Sequence, residues 1–534
     1  MKRGALQSSN KRLQAAAIIA TLILSGHSAP AVAANLGSSP CTQTIDSTSG
    51  VSVHQGGNSC FVAFKSATTY LWTPPTGVST IDVLIVAGGG GGGSRHAGGG
   101  GAGGLLNITN QAISAANLTV VVGGGGAGGA AASTGGNTGS NGGNSSISGA
   151  GVTTRTAIGG GGGGYGAGTN SGGSGAGGGS SGLGGSATAG QGNNGSAGVT
   201  DNSSYWVGGG GGGAGAGGGA SSSTKGGNGG AGLDISWISA AAHTALSVGV
   251  LSSQKVYFAG GGGGGTDRNS ITAGSAGIGG GGAGGTGTGT TEDGLANTGG
   301  GGGGSGISGS GTGSFKGGNG GSGVVVIRYS LPTFTNGASF SVAENISNTS
   351  DAAIITVTES STLTVRPTLD GALFSILASD SVTARVRFQI SPDFESPSDS
   401  GANNQYDLVI RATNTSGNYQ DFTIAITVTD LVEPASINAP TLSGGALKGQ
   451  TLTITVTFTV PGKARFFVAG KRIPNCMSQT TTGTYPNYSA SCSWKPSISG
   501  SRSIKATLTP TNLAISAVTS PELVTFINKR TNYR

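Results

Sequence analysis

Charge is what this 534-residue chain has least of: Asp, Glu, Lys and Arg make up 9% of it, against about 25% in ordinary globular proteins. Aromatic residues are also scarce, at 5%. No Lys/Arg stripe with interleaved aromatics occurs, which leaves nucleic-acid binding without an electrostatic footprint. Only four histidines are present, His27, His54, His96 and His243, and none has a His or Cys partner at metal-ligand spacing. No G-x-x-x-x-G-K-[ST] stretch occurs, so a phosphate-cradling loop of that type is excluded. No G-x-S-x-G motif lies in a strand-to-helix setting, and the adjacent pair Glu292-Asp293 in a glycine loop is no acid/base dyad. These absences lead us to expect a chain that is not an enzyme and has no organic cofactor.

Long apolar runs are missing too. The longest, "AAAIIATLILSG" (15–26), follows Lys2, Arg3, Lys11 and Arg12 and precedes the small-residue stretch "APAVAA" (29–34). That order reads as a secretory signal peptide over 1–34, because a dozen apolar residues are too few to span a bilayer, which takes about 20. No transmembrane segment is then expected after cleavage. Its removal takes four positive charges and no acidic ones from a net charge of +7, leaving +3. The four cysteines fall in two close pairs, so an exported chain is expected to bridge Cys41 to Cys60 and Cys476 to Cys492.

Glycine is what the sequence does have. Of 112 glycines, 94 lie between residues 88 and 323, and runs of six occupy 88–93, 159–164, 208–213, 260–265 and 299–304. A flexible linker has no use for Trp206, Trp237, Phe258, "LLNI" (105–108) or "LTVVV" (118–122), which can form a buried layer. Ordering a glycine costs about 0.5–1 kcal/mol more than ordering an alanine. Only dense hydrogen bonding could offset that. The three-per-turn extended helix supplies the means: its N–H and C=O groups point outward, and six residues make about two turns, roughly 19 Å. Repeated runs of one length predict a lattice of one thickness.

The flanks predict strands. "CFVAFKSATTYLWTPPTGVSTIDVLIVA" (60–87) alternates around a Pro-Pro-Thr-Gly turn, and "GVVVIRYS" (323–330) closes the block. Short alternating segments then recur over 331–433 and again over 434–534, which predicts two β-sandwiches. The expected organisation is a signal over 1–34, a disulfide-closed segment over 35–59, a glycine-rich domain over 60–330 and the two sandwiches. The fold class is mainly β: a polyglycine-type helical lattice bracketed by β-strands, followed by the sandwiches.

"YLWTPPTGVSTIDVLIVAGGGGGG", the blocks that follow it and the closing "GGNGGSGVVVIRYS" resemble the bacterial and phage glycine-rich domain. Related modules in phage adhesins and in some receptor ectodomains are packed polyglycine-type helices with binding loops at their ends. The resemblance implies recognition loops at Arg95-His96, Tyr205-Trp206 and Asp267-Arg268, with Glu292-Asp293 a further candidate.

The next region is similar to bacterial cadherin-like repeats through "VAEN" (342–345), "PDFESP" (392–397) and "TIAITVTDLVEP" (423–434). That resemblance implies a calcium site on Glu344, Asp393, Glu395, Asp430 and Glu433. Asn414 and Ser416 stand where aspartates are usual, and Val432 replaces a usual asparagine, which implies a weak site. The last region looks like a bacterial immunoglobulin-like domain. Together these resemblances imply a secreted or cell-surface protein for adhesion or ligand binding, calcium-assisted, whose partner is a cell-surface glycan or protein, or self. The alternative is a passive structural component of an envelope or extracellular matrix.

Overall fold

The computed structural model describes residues 41–132, 134–166, 170–287, 291–307, 315–432, 434–484 and 486–530, and the backbone of 34–36. The expected signal peptide and Glu433 lie outside the described residues, apart from the backbone of Ala34. The chain divides into two compact units, one reaching Leu331 and including Ser416–Asn418, the other holding the rest from Pro332.

In the first unit the strands that flank the glycine block are partners. An antiparallel sheet runs in the order Val51–Gly56, Ser59–Phe64, Val324–Ser330, Thr80–Val86, Leu105–Ala112. The closing strand thus inserts between two strands from before the block, with Val326 opposite both Ala63 and Leu84. Alternation explains its position: Val325 and Ile327 enter one core with Phe64, Tyr70, Trp72 and Leu118. Val324 and Val326 enter a second with Phe61, Leu84, Val86 and Phe258. A strand buried on both faces reads as an apolar run.

A second antiparallel sheet faces the first core, in the order Ala34–Leu36, Gln43–Ile45, Thr69–Thr73, Leu118–Val121, Ser145–Gly149, Val152–Ala157. The segment before residue 60 therefore belongs to these sheets, tied in by the Cys41–Cys60 bridge. The α-helix Ala240–Leu246 had no counterpart in the sequence reading. Ser239 caps it by accepting from the Ala242 amide, and it buries Ala242 and Leu246.

The glycine runs form a lattice, and its rule is visible in one run. Amides of Gly88, Gly91 and Ser94 donate to the carbonyls of Gly143, Ser140 and Asn137. Gly89 and Gly92 donate to Gly321 and Gly318, while Gly90 and Gly93 donate to Gly101 and Gly98. Every third residue therefore turns to the same neighbour, the signature of a three-per-turn helix. Its carbonyls accept from three further segments, at Gly160 and Gly163, Gly126 and Gly129, and Gly302 and Ser305. Six neighbours surround one helix, and no side chain fits between them. A Cβ at Gly92 would lie 1.9 Å from the Gly303 carbonyl oxygen, and one at Gly301 would lie 2.0 Å from that of Gly100.

In the second unit, one sandwich pairs a sheet ordered Ser339–Ala343, Tyr419–Thr429, Gln405–Asn414, Ser361–Leu369 with a sheet ordered Ala353–Thr356, Thr383–Phe388, Phe374–Ala378. Tyr406, Leu408, Ile410, Ile424 and Ile426 meet Ile355, Val386 and Phe388 between them. The other pairs Leu452–Phe458 and Asn487–Trp494 on one sheet and Gly462–Val468 and Gly500–Pro510 on the other, with the Cys476–Cys492 bridge at its core.

Gly92→Ala is expected to lower the stability of the first unit by about 2 kcal/mol or more, since overpacking a rigid site costs on the order of 1–3 kcal/mol. Gly337→Ala, where a Cβ would meet nothing within 4 Å, is expected to change stability by under about 0.5 kcal/mol. Chemical denaturation followed by tryptophan fluorescence compares the two.

Candidate functional site

One end of the lattice collects the loops singled out from the sequence. Four of the six-glycine runs end there, at Ser94, Tyr165, Thr266 and Ser305, and the run beginning at Gly208 starts there. Neighbouring tips are tied together: Gly265 donates to Ala97 O at 2.9 Å, Gly208 to Gly265 O at 2.8 Å, and Ala97 to Ser305 O at 3.3 Å.

The turn between the first two helices puts Arg95 at φ 65° and His96 at φ 45°. Each left-handed residue costs about 1 kcal/mol or more, so the surroundings must hold them. Ser305 Oγ accepts from the Arg95 amide at 2.9 Å, and Arg95 Nη1 donates to Gly135 O at 3.2 Å. His96 is buried, with its ring 5.8 Å from that of Tyr165 and 6.1 Å from that of Trp206. Its Nδ1 is enclosed and has no hydrogen-bond partner. Burial first, and the adjacent Arg95 cation second, pull its pKa down to about 4. The imidazole is therefore neutral near neutral pH.

Trp206 sits in the short strand Trp206–Val207, paired with Val199–Thr200. The loop between them is organised by Asp201, whose Oδ1 accepts from the amides of Ser203, Ser204 and Tyr205. Desolvation acts to raise that carboxyl's pKa, but the three amides outweigh it and hold it well below the carboxylate range. Asp267 donates its amide to Trp206 O at 3.1 Å and accepts from Arg268 Nε at 3.2 Å. Its side chain is buried, and Oδ1 lacks a partner. Arg95, His96, Tyr205, Trp206, Asp267 and Arg268 thus share one tip. The arrangement offers two guanidinium groups, aromatic rings and an exposed loop over 201–204 to a ligand with both polar and apolar faces.

Tyr165 escaped the sequence reading, although a signal existed: it is the first residue after a six-glycine run, as Ser94, Thr266 and Ser305 are. Glu292 and Asp293 are engaged with the lattice itself. Glu292 O accepts from Gly303 and its Oε2 from Ala283, while Asp293 holds Asn319 through Oδ1 and Oδ2.

A second site lies in the first sandwich. Glu344 follows the strand Ser339–Ala343 and is buried. Its Oε1 accepts from the Leu431 amide at 2.8 Å and its Oε2 from Phe394 at 2.9 Å, which draws the 392–395 and 430–431 segments together. Carboxylate oxygens of Glu344, Glu395 and Asp430 lie within 4.8 Å of one another. Asp393 has a different part: its Oδ1 accepts from the Glu395 and Ser396 amides and shapes the turn that presents Glu395. Asn404 was not foreseen. It is buried, its Nδ2 donates to Phe394 O at 2.8 Å, and its Oδ1 has no partner. Asn414, at a position where the resemblance expects aspartate, donates to Glu359 Oε1 at 3.1 Å. An all-oxygen set of carboxylates suits a hard cation such as calcium.

Residues 65–330 match the family model described as "Glycine-rich domain". No curated protein matches the chain. Among solved structures it is similar to extracellular cadherin domains 3-6 of protocadherin gamma B2, at 13% identity over 37% of this chain and 46% of that one, with a TM-score of 0.25. This chain thus spans less than half the length of that protocadherin structure. It is also similar to the D00-D0 domain of intimin, at 14% identity over 36% and 98% with a TM-score of 0.20. A titin fragment is similar at 16% identity over 38% and 99% with a TM-score of 0.22.

The buried imidazole predicts a pH dependence. Folding lowers the His96 pKa from 6.5 to about 4, so the folded protein binds fewer protons than the unfolded one. Its contribution is complete above the unfolded pKa and is lost as pH falls through that window, by about 3 kcal/mol at most. His96→Phe is expected to flatten the stability profile between pH 7 and 4 relative to wild type. Urea unfolding at both pH values reads the difference in slope, whatever the variant's absolute stability.

Proposed function

We propose that this is an exported, non-enzymatic surface protein that binds a cell-surface glycan or protein through the lattice tip. The observation that carries the reading is the gathering of Arg95, His96, Tyr205, Trp206, Asp267 and Arg268 at one end of a closely packed helix array. Loops fixed by rigid supports bind without a large ordering cost. The two disulfides support a secreted or cell-surface location, because such bridges persist in oxidising compartments.

Calcium is part of the same proposal. Glu344, Glu395 and Asp430 would hold the ion, and bound calcium would screen three carboxylates that otherwise repel one another. Three carboxylates, two of them exposed, support weak binding, in the range of about 10⁻⁴–10⁻³ M typical of extracellular modules.

The tip reading is tested by saturation binding of the mature protein to glycan arrays and to intact cells. Tyr205→Ala is expected to weaken binding about tenfold or more while leaving the unfolding temperature near wild type. Saturable binding unchanged in that variant would sink the tip, and self-assembly without saturable binding would favour the matrix alternative. For calcium, millimolar CaCl₂ is expected to raise the unfolding temperature of the second unit. Glu395→Ala with Asp430→Ala is expected to abolish that rise, and a wild-type protein indifferent to 10⁻² M calcium (a roughly tenfold excess over such affinities) would refute the site.

A further inference from the structure

The last strand among the described residues, Leu523–Ile527 with sequence LVTFI, pairs along one side only, with Ser501 opposite Phe526 and Ser503 opposite Val524. Among the described residues no strand pairs with its other side. Just past its end, Asn528 exchanges hydrogen bonds with Ala446 and Lys448, which stops the free edge at Ile527. Val524 is 65% exposed and Phe526 62% exposed, since the serines opposite them are too small to cover either.

Natural sheet edges are blunted by charged side chains, proline or bulges, because an open row of N–H and C=O groups recruits another strand. This edge has none of these between Leu523 and Asn528. The flanks carry the charge instead, with Glu522 just before the strand and Lys529 and Arg530 just after it. Glu522 lies 3.6 Å from Lys505, but both side chains are more than two-fifths exposed, so that pair competes weakly with another.

We propose that Leu523–Ile527 is a homodimerisation edge, at which two copies of this chain pair antiparallel across a two-fold axis. Charge selects the partner and its direction. An antiparallel copy places each Glu522 beside the partner's Lys529 and the partner's Arg530, whereas parallel pairing sets acid against acid and base against bases. With the axis at Thr525, Leu523 faces the partner's Ile527 and Val524 faces the partner's Phe526. The axis makes that contact twice. Aromatic against β-branched is a favourable cross-strand combination, and the interface is isologous and therefore closes at two copies. The dimer edge is independent of the lattice tip, so either can fail without the other.

The test is sedimentation velocity on the full mature chain from about 1 to 100 μM, a range that brackets ordinary weak dimers. A concentration-dependent dimer is expected for wild type. Phe526→Lys, on an exposed position that leaves the core intact, is expected to be monomeric throughout with an unchanged unfolding temperature. Glu522→Lys alone, and Lys529→Glu with Arg530→Glu, are each expected to weaken the dimer about tenfold, and their combination to restore it. Amide exchange over 523–527 is expected to slow with concentration in wild type and not in Phe526→Lys. A wild-type monomer at the top concentration, a dimer that survives Phe526→Lys, or charge reversals that do not rescue one another would each overturn the proposal.

Discussion

Everything in the first unit follows from the need of a backbone without side chains to satisfy its own hydrogen bonds. A buried N–H or C=O left unpaired costs about as much as a lost hydrogen bond, and a polyglycine helix has no internal partner for either. Gly88 to Gly93 solve this by donating to three neighbouring segments and accepting from three others. The same constraint fixes spacing. Helices close enough to exchange these bonds leave no room for a Cβ, as the 1.9 Å approach at Gly92 shows. Hydrogen bonding and glycine content are therefore one requirement, and the usual entropic cost of glycine is met by the lattice as a whole.

A lattice so built leaves no room for side chains at its closest helix contacts, and that influences where chemistry can sit. Larger side chains return where the six-glycine runs end, at Ser94, Tyr165, Thr266 and Ser305, and where the run from Gly208 begins, at Trp206. Because adjacent ends are bonded to one another, the loops they launch are held at fixed separations. Arg95 and His96 can occupy left-handed conformations, and the His96 ring can be buried without a partner for Nδ1, because the surrounding helices leave the turn no alternative. The strands at the other end perform the complementary task. With Val324–Ser330 zipped between Ser59–Phe64 and Thr80–Val86, the lattice is closed by a sheet whose two faces are both packed.

What the sequence made legible follows the same division. The repeated run length announced the lattice, and alternation announced the flanking strands and both sandwiches, because each of these is a local pattern with one physical meaning. The cysteine spacing announced both bridges. Pairing among identical runs was not legible, since nothing in one stretch of glycine distinguishes its six neighbours. The insertion of the closing strand at the centre of its sheet was hidden for a related reason: its apolar run requires two covered faces but names neither. Asn404 was hidden because what marks it is a buried amide that holds Phe394 O while its own oxygen is left without a donor, a property of the folded loop rather than of any motif.

The poverty of charge now has a physical explanation as well. A chain with 94 of its 534 residues as glycines between 88 and 323 has few positions left there for charge, so its charged groups fall mainly in loops and on sandwich surfaces. Asp201 shapes the tip loop through three amides, and Glu344 joins two segments of the acidic site. Economy of charge also explains why an edge such as Leu523–Ile527 lacks the protective lysine that a charge-rich protein would place there. An unprotected edge in a chain with so little electrostatic repulsion has to be covered, and the residues flanking this one are arranged so that a second copy can cover it.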